Sequence, residues 1–248
     1  MQAKNDMSAQ SNRIIGDIAN KESFTKIHIP MIRKSILLGG LLCAAGFLSA
    51  QAFSIGIRGG YTLANVDIKG SNGAGIFFDP AQKQSSGGVH IGLEGRWELD
   101  RRWAVLAGLQ YNQKGYRSEI FWPTGPAEAK NIFHYLNIPV VGNCLIWKDL
   151  SLQAGIEAGW LIDSRIESAG EKISNKDLGI YRDFDLGFIA GLEYRIGKSF
   201  FLAARHSWSA VNLYGDTEFT DDAGNPLDVS GRNRALQFSA GYRYALGQ

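Results

Sequence analysis

Twelve charged residues recur with one parity within eight alternating segments: Arg58, Glu94, Arg96, Glu98, Lys114, Glu157, Asp163, Asp185, Glu193, Arg195, Arg205 and Arg243. Six are positive and six negative. Enclosed together, such a set can neutralise itself as an ion-pair network, because unpaired buried charge is costly. The other chemistry open to it is a proton or ion path. The network is the expected role, since eight strands close around a lumen that side chains fill.

His206-Ser207-Trp208-Ser209 raises the question of serine hydrolysis, as in a lipid-modifying barrel enzyme. That chemistry needs Ser, His and an orienting acid within hydrogen-bond reach. The second residue after His206 is Trp208, not Ser, and alternation sends Ser207 to the opposite face. No catalytic residue is therefore assigned, and His206 is expected at the membrane interface. His90 is expected in the lumen and His134 near a loop, without a second metal ligand at fixed spacing. Asp216, Glu218, Asp221, Asp222 and Asp228 offer oxygen ligands that suit calcium, but "DDAGNP" reads as turn chemistry and a solvated loop. No metal and no cofactor are expected.

These residues need elements to hold them. The chain has 248 residues, is 45% hydrophobic and 20% charged, and contains 30 Gly and 2 Cys. Disorder and collagen are excluded by that composition. The longest charge-free apolar run, Ile36 to Ala50, is too short for a membrane-spanning helix of about 20 residues. It follows the basic Met31-Ile32-Arg33-Lys34 and ends in Ala50-Gln51-Ala52, the anatomy of a secretory signal peptide cleaved near Ala50–Phe53. A lipoprotein signal at Cys43 is rejected, because Leu41 and Leu42 are bulky where small residues are needed. Residues 1–30 are read as an over-extended start, with a genuine leader as the alternative. The expected organisation is 1–30 leader, 31–52 signal peptide and 53–248 mature domain. Residues 1–50 hold six of the basic and three of the acidic residues, which leaves 20 basic against 21 acidic. No nucleic-acid partner is expected from that balance. Cys144 alone remains, so no disulfide is expected.

From Phe53 onward the apolar period is two. Eight strands are predicted at 53–65, 88–99, 103–116, 132–147, 150–163, 184–196, 199–209 and 234–246. Their apolar phase contains no Asp, Glu, Lys or Arg. At 11 to 16 residues they exceed the ~5–6 usual in soluble proteins and suit a membrane crossing of ~9–11. The fold class expected is all-β, an eight-stranded antiparallel up-and-down transmembrane β-barrel.

Three features choose apolar-out over a soluble ligand-binding barrel with its apolar phase inward. Connections alternate between tight turns (100–102, 148–149, 197–198) and long polar loops (66–87, 117–131, 164–183, 210–233), the periplasmic and exterior rims of an outer-membrane barrel. Aromatics gather at strand ends: Phe53, Trp97, Trp103, Trp147, Tyr194, Phe200, Tyr242 and Tyr244 at one rim. At the other stand Tyr61, Tyr111, Tyr116, Tyr135, Trp160, Phe184 and Trp208, with Trp122 left in a loop. Nine strand glycines, Gly56 and Gly241 among them, share the charged phase, where a narrow lumen pairs small residues with large ones.

Gly56-Ile57-Arg58-Gly59-Gly60-Tyr61, Tyr111-Asn112-Gln113-Lys114-Gly115, Tyr135-Leu136-Asn137-Ile138-Pro139 and Gln237-Phe238-Ser239-Ala240-Gly241-Tyr242 carry a further signal. Over about 53–246 the chain resembles the PorT-like outer-membrane β-barrel family of Bacteroidetes. That resemblance implies the same barrel in the outer membrane of a Gram-negative bacterium, and a family member associated with protein secretion. The chain departs from the family pattern by ending on Gln248 rather than an aromatic. Pro139 falls mid-strand, where a local bulge is expected. The expected function is non-enzymatic: an apolar belt in outer-membrane lipid, a filled lumen, and four exterior loops that meet an exterior or envelope protein partner.

Overall fold

The computed structural model describes residues 52–246 apart from 71–83, 123–124, 169–170, 177–178, 216, 218 and 221–223. The side chains of 119–127 are also outside the description. The leader, the signal peptide and the acidic residues Asp216, Glu218, Asp221 and Asp222 fall in the undescribed parts.

Eight long strands form the wall: β1 (Ala52–Gly70), β2 (Gln84–Glu98), β3 (Trp103–Trp122), β4 (Gly125–Trp147), β5 (Leu150–Ser168), β7 (Phe184–Ile196), β8 (Phe200–Ser209) and β11 (Val229–Leu246). Short β6 (Glu171–Ser174) extends β5 as a hairpin, and β9 (Phe219–Thr220) pairs with β10 (Pro226–Leu227). Each wall strand pairs antiparallel with its sequence neighbour, β4 with β5 and β5 with β7. The last strand pairs with the first from Phe53↔Leu246 to Gly70↔Val229, which closes the ring. A closed barrel leaves no strand edge to face lipid, the condition for crossing a membrane with strands.

Period-two patterning resolves as apolar-out. Leu93, Ile156 and Phe188 are 62%, 49% and 59% exposed, while Arg58 and Glu94 are 2% and 5%. A soluble barrel with an apolar interior is therefore excluded.

The three tight turns and both wall ends share one rim. At the first turn the backbone N–H groups of Arg102 and Trp103 both donate to Asp100 Oδ1 at 2.7 Å, an Asx turn that ties β2 to β3. Those two bonds hold the Asp100 carboxyl below the usual carboxylate range. The turn between β7 and β8 needs a left-handed residue and has Gly197 there, at φ 65°.

Three expectations need correction. The segment 117–131 is not a polar loop: β3 and β4 continue as a paired hairpin up to Trp122↔Gly125, so Trp122 ends a strand. β1, β5 and β11 also run past their predicted ends, because strand pairing satisfies their backbone beyond the lipid belt. Pro139 produces no bulge. It keeps its register with Glu157 on β5 and only interrupts the ladder toward β3, where its missing N–H removes one donor. Register shifts fall instead at His134/Tyr135, Leu145/Trp147 and Ser85/His90.

Candidate functional site

The inward side chains form layers. Toward the tight-turn rim, Arg243 grips two carboxylates. Its Nη2 lies 2.6 Å from Glu94 Oε1 and 2.6 Å from Glu193 Oε2, and its Nη1 donates to Glu193 Oε1 at 2.7 Å. Arg58 Nε stands 2.8 Å from the other Glu94 oxygen, and Arg205 donates to Gln153 Oε1 at 2.7 Å. Gln153 in turn donates to Glu193 and Asn143. Phe201 lies in this layer with the Arg243 guanidinium 3.9 Å and the Arg58 guanidinium 5.2 Å from its ring centre. Cation–π attraction is strongest in such a desolvated site.

A second layer is centred on Lys114, which donates to Glu157 at 3.0 Å and lies 3.7 Å from Asp185. His90 bridges Thr62 and Ser239, and Thr62 donates to Asn112. Asn233 donates to both Tyr135 Oη and Asp185.

Above it the inward phase turns apolar. Val66, Ile68, Tyr116, Phe133, Tyr135, Leu161, Leu213, Tyr214 and Val229 pack as one cluster, with Tyr181 against it. Leu213 and Tyr214 come from the connection after β8 and Tyr181 from the one before β7, so loop residues cap the lumen. Phe133 meets Tyr181 edge-on at 4.8 Å. Burial pushes the Tyr181 and Tyr214 hydroxyls up, and each is raised further by a neighbouring tyrosine. Both stay neutral and act as hydrogen-bond groups rather than as bases.

Nine of the twelve expected lumenal charges are buried or half-buried inside. Three are not. Glu98 sits at the rim beside Arg96, and Arg195 pairs with Asp149 on the adjacent turn at 3.3 Å. Asp163 is turned out by the bulge opposite His134/Tyr135 and pairs with Arg165 at 2.6 Å. Tyr116 and Tyr135, expected in the outer aromatic girdle, point inward instead. Tyr116 shares the parity of Lys114, a signal that was present in the sequence. Phe201, Leu106 and Val141 were missed, being apolar residues on the charged phase, whereas Ile189 lies inward on the parity of Asp185 and Glu193.

His206 faces outward with its ring 4.1 Å from Trp208, while Ser207 is buried on the lumen side. His134 also faces outward, and its Nδ1 shares a hydrogen bond with Tyr111 Oη at 2.6 Å. Among the described residues no group of three His, Cys, Asp or Glu is placed to hold a metal.

A layered polar lumen inside an apolar wall defines an integral membrane barrel. Residues 48–214 match the family model described as an outer membrane protein beta-barrel domain, and the chain belongs to that family. It is accordingly an integral protein of the outer membrane of a Gram-negative bacterium. A search of curated proteins gave no match. Among solved structures, the attachment invasion locus protein of Yersinia pestis is 18% identical, covering 77% of this chain and 98% of its own with a TM-score of 0.40. Neisserial surface protein A is 11% identical, covering 77% and 95% with a TM-score of 0.42. Outer membrane protein OprG of Pseudomonas aeruginosa is 14% identical, covering 79% and 98% with a TM-score of 0.42.

Proposed function

We propose that this protein is a non-enzymatic, non-conducting scaffold that displays its exterior hairpins to a partner outside the cell or in the envelope. The observation that carries the reading is the double seal of the lumen, an ion-pair network below and an aromatic cap above. Nothing that needs a continuous aqueous path fits that interior. What remains for recognition is the exterior rim, where the β3–β4 and β5–β6 hairpins hold extended backbone beyond the lipid belt on a rigid base. The PorT-like pattern makes a secretion-associated partner the narrower form of the proposal.

Purified protein in planar bilayers is expected to give no steady conductance and, with outer-membrane lipid, no acyl release. A photo-crosslinker at Lys172, on the β6 hairpin, is expected to trap a defined envelope or extracellular protein that one at Lys198, on a periplasmic turn, does not. Steady single-channel current, or lipid hydrolysis abolished by His206→Ala, would overturn the proposal.

A further inference from the structure

At the periplasmic rim a recess of about 40 Å³ opens beside the lumen, lined by Arg96, Arg101, Arg102, Arg195 and Arg243 next to Glu193. By the ~10–15 Å³ that one buried water needs, it has room for about three waters or one compact oxyanion. The carboxylates that line it are already engaged. Glu193 is held by Arg243 at 2.6 and 2.7 Å, Asp100 Oδ1 accepts the two turn amides, and Glu98 faces Arg96 Nε at 3.3 Å. The cations are less fully matched. Arg96 Nη1 is buried without a hydrogen-bond partner, its approach to Glu193 being 3.5 Å. Among the described residues neither Arg101 nor Arg102 makes a side-chain ion pair, Arg195 pairs with Asp149, and the adjoining layer sets Arg58, Arg96, Arg205 and Arg243 against Glu94, Glu193 and the rim residue Glu98.

We propose that this recess binds a phosphate group. Guanidinium forks match phosphate oxygens bidentately, and an excess of positive charge at a half-enclosed site favours an anion over water. Two sources share that chemistry: free inorganic phosphate, and the headgroup of an anionic phospholipid in the inner leaflet. The exposed indole of Trp103 lines the same recess and stands at the level where lipid headgroups meet the barrel.

The test uses the full barrel in a maltoside detergent, which carries no phosphate, with chloride as the buffer anion. Inorganic phosphate is titrated by calorimetry, and phosphatidylglycerol retention is read by native mass spectrometry against diacylglycerol, which lacks the phosphate. The Arg101→Gln/Arg102→Gln double variant changes only turn side chains, and Arg96→Gln changes the inner wall. Each is expected to weaken binding by about tenfold or more, the loss of one charge-assisted hydrogen bond, while Lys198→Gln on the next turn leaves it unchanged. Binding of phosphatidylglycerol alone identifies the lipid as the source, and binding of inorganic phosphate alone identifies the free ion. Binding of neither, or binding by the double variant and by Arg96→Gln as tight as by the unaltered barrel, overturns the proposal.

Discussion

Glu193 joins Arg58, Arg96 and Arg243 to Gln153, so it is the residue on which the lower lumen most depends. Its removal strands several buried cations, and breaking a buried pair from one side costs about 3–5 kcal/mol. Glu193→Gln is expected to lower stability by that amount in urea unfolding from lipid vesicles, whereas Glu171→Gln on the exposed β6 hairpin is expected to change it by less than ~0.5 kcal/mol. Gly241 shows the complementary constraint. A Cβ there would collide with the ring of Phe201 and lie 2.6 Å from the Ile57 carbonyl oxygen. Gly241→Ala is expected to cost about 1–3 kcal/mol, partly recovered in the Gly241→Ala/Phe201→Leu double variant, and a double-mutant cycle measures the coupling. The charges were legible because parity places them. Phe201 was not, since nothing in a period-two pattern announces an aromatic ring in contact with two guanidiniums.

The lipid-facing stripe of β2 holds the exposed apolar residues Val89, Ile91 and Leu93. Leu93→Arg is expected to destabilise the inserted barrel by about 2–4 kcal/mol, the cost of a cation near the bilayer midplane, in the same vesicle assay. The turn between β2 and β3 adds a pH-dependent contact. Asp100 has a lowered pKa in the folded protein, so its contribution is present above the ordinary carboxylate value of about 3.9 and fades only as pH falls through the lower folded value. Hydrogen exchange at the Arg102 and Trp103 amides is therefore expected to keep its protection at pH 5 and to lose it in Asp100→Ala at the same pH. Strand existence, order and face were legible in the sequence, and so were the three tight turns. The exterior ends were not. Val66 and Ile68 keep the inward parity of Arg58 and Thr62, but the inward phase turns from polar to apolar there, so an apolar-outward pattern no longer marks the strand where the aromatic cap begins. The bulge that turns Asp163 outward was equally hidden, since one extra residue shifts parity without any sequence marker.

At the scale of the whole molecule, the apolar and ionic side chains are divided between two solvents, and the division does the structural work. Lipid takes the outer set, and the inner set neutralises itself well enough to be kept from water. Site-directed spin labels at 91–94 on β2, in a Cys144→Ala background, measure that division most directly. Labels at Ile91 and Leu93 are expected to collide readily with oxygen dissolved in the bilayer, and labels at Gly92 and Glu94 with neither oxygen nor a water-soluble nickel chelate. Equal oxygen access along all four positions, or chelate access at Leu93 exceeding that at Glu94, would contradict the arrangement on which every other conclusion rests.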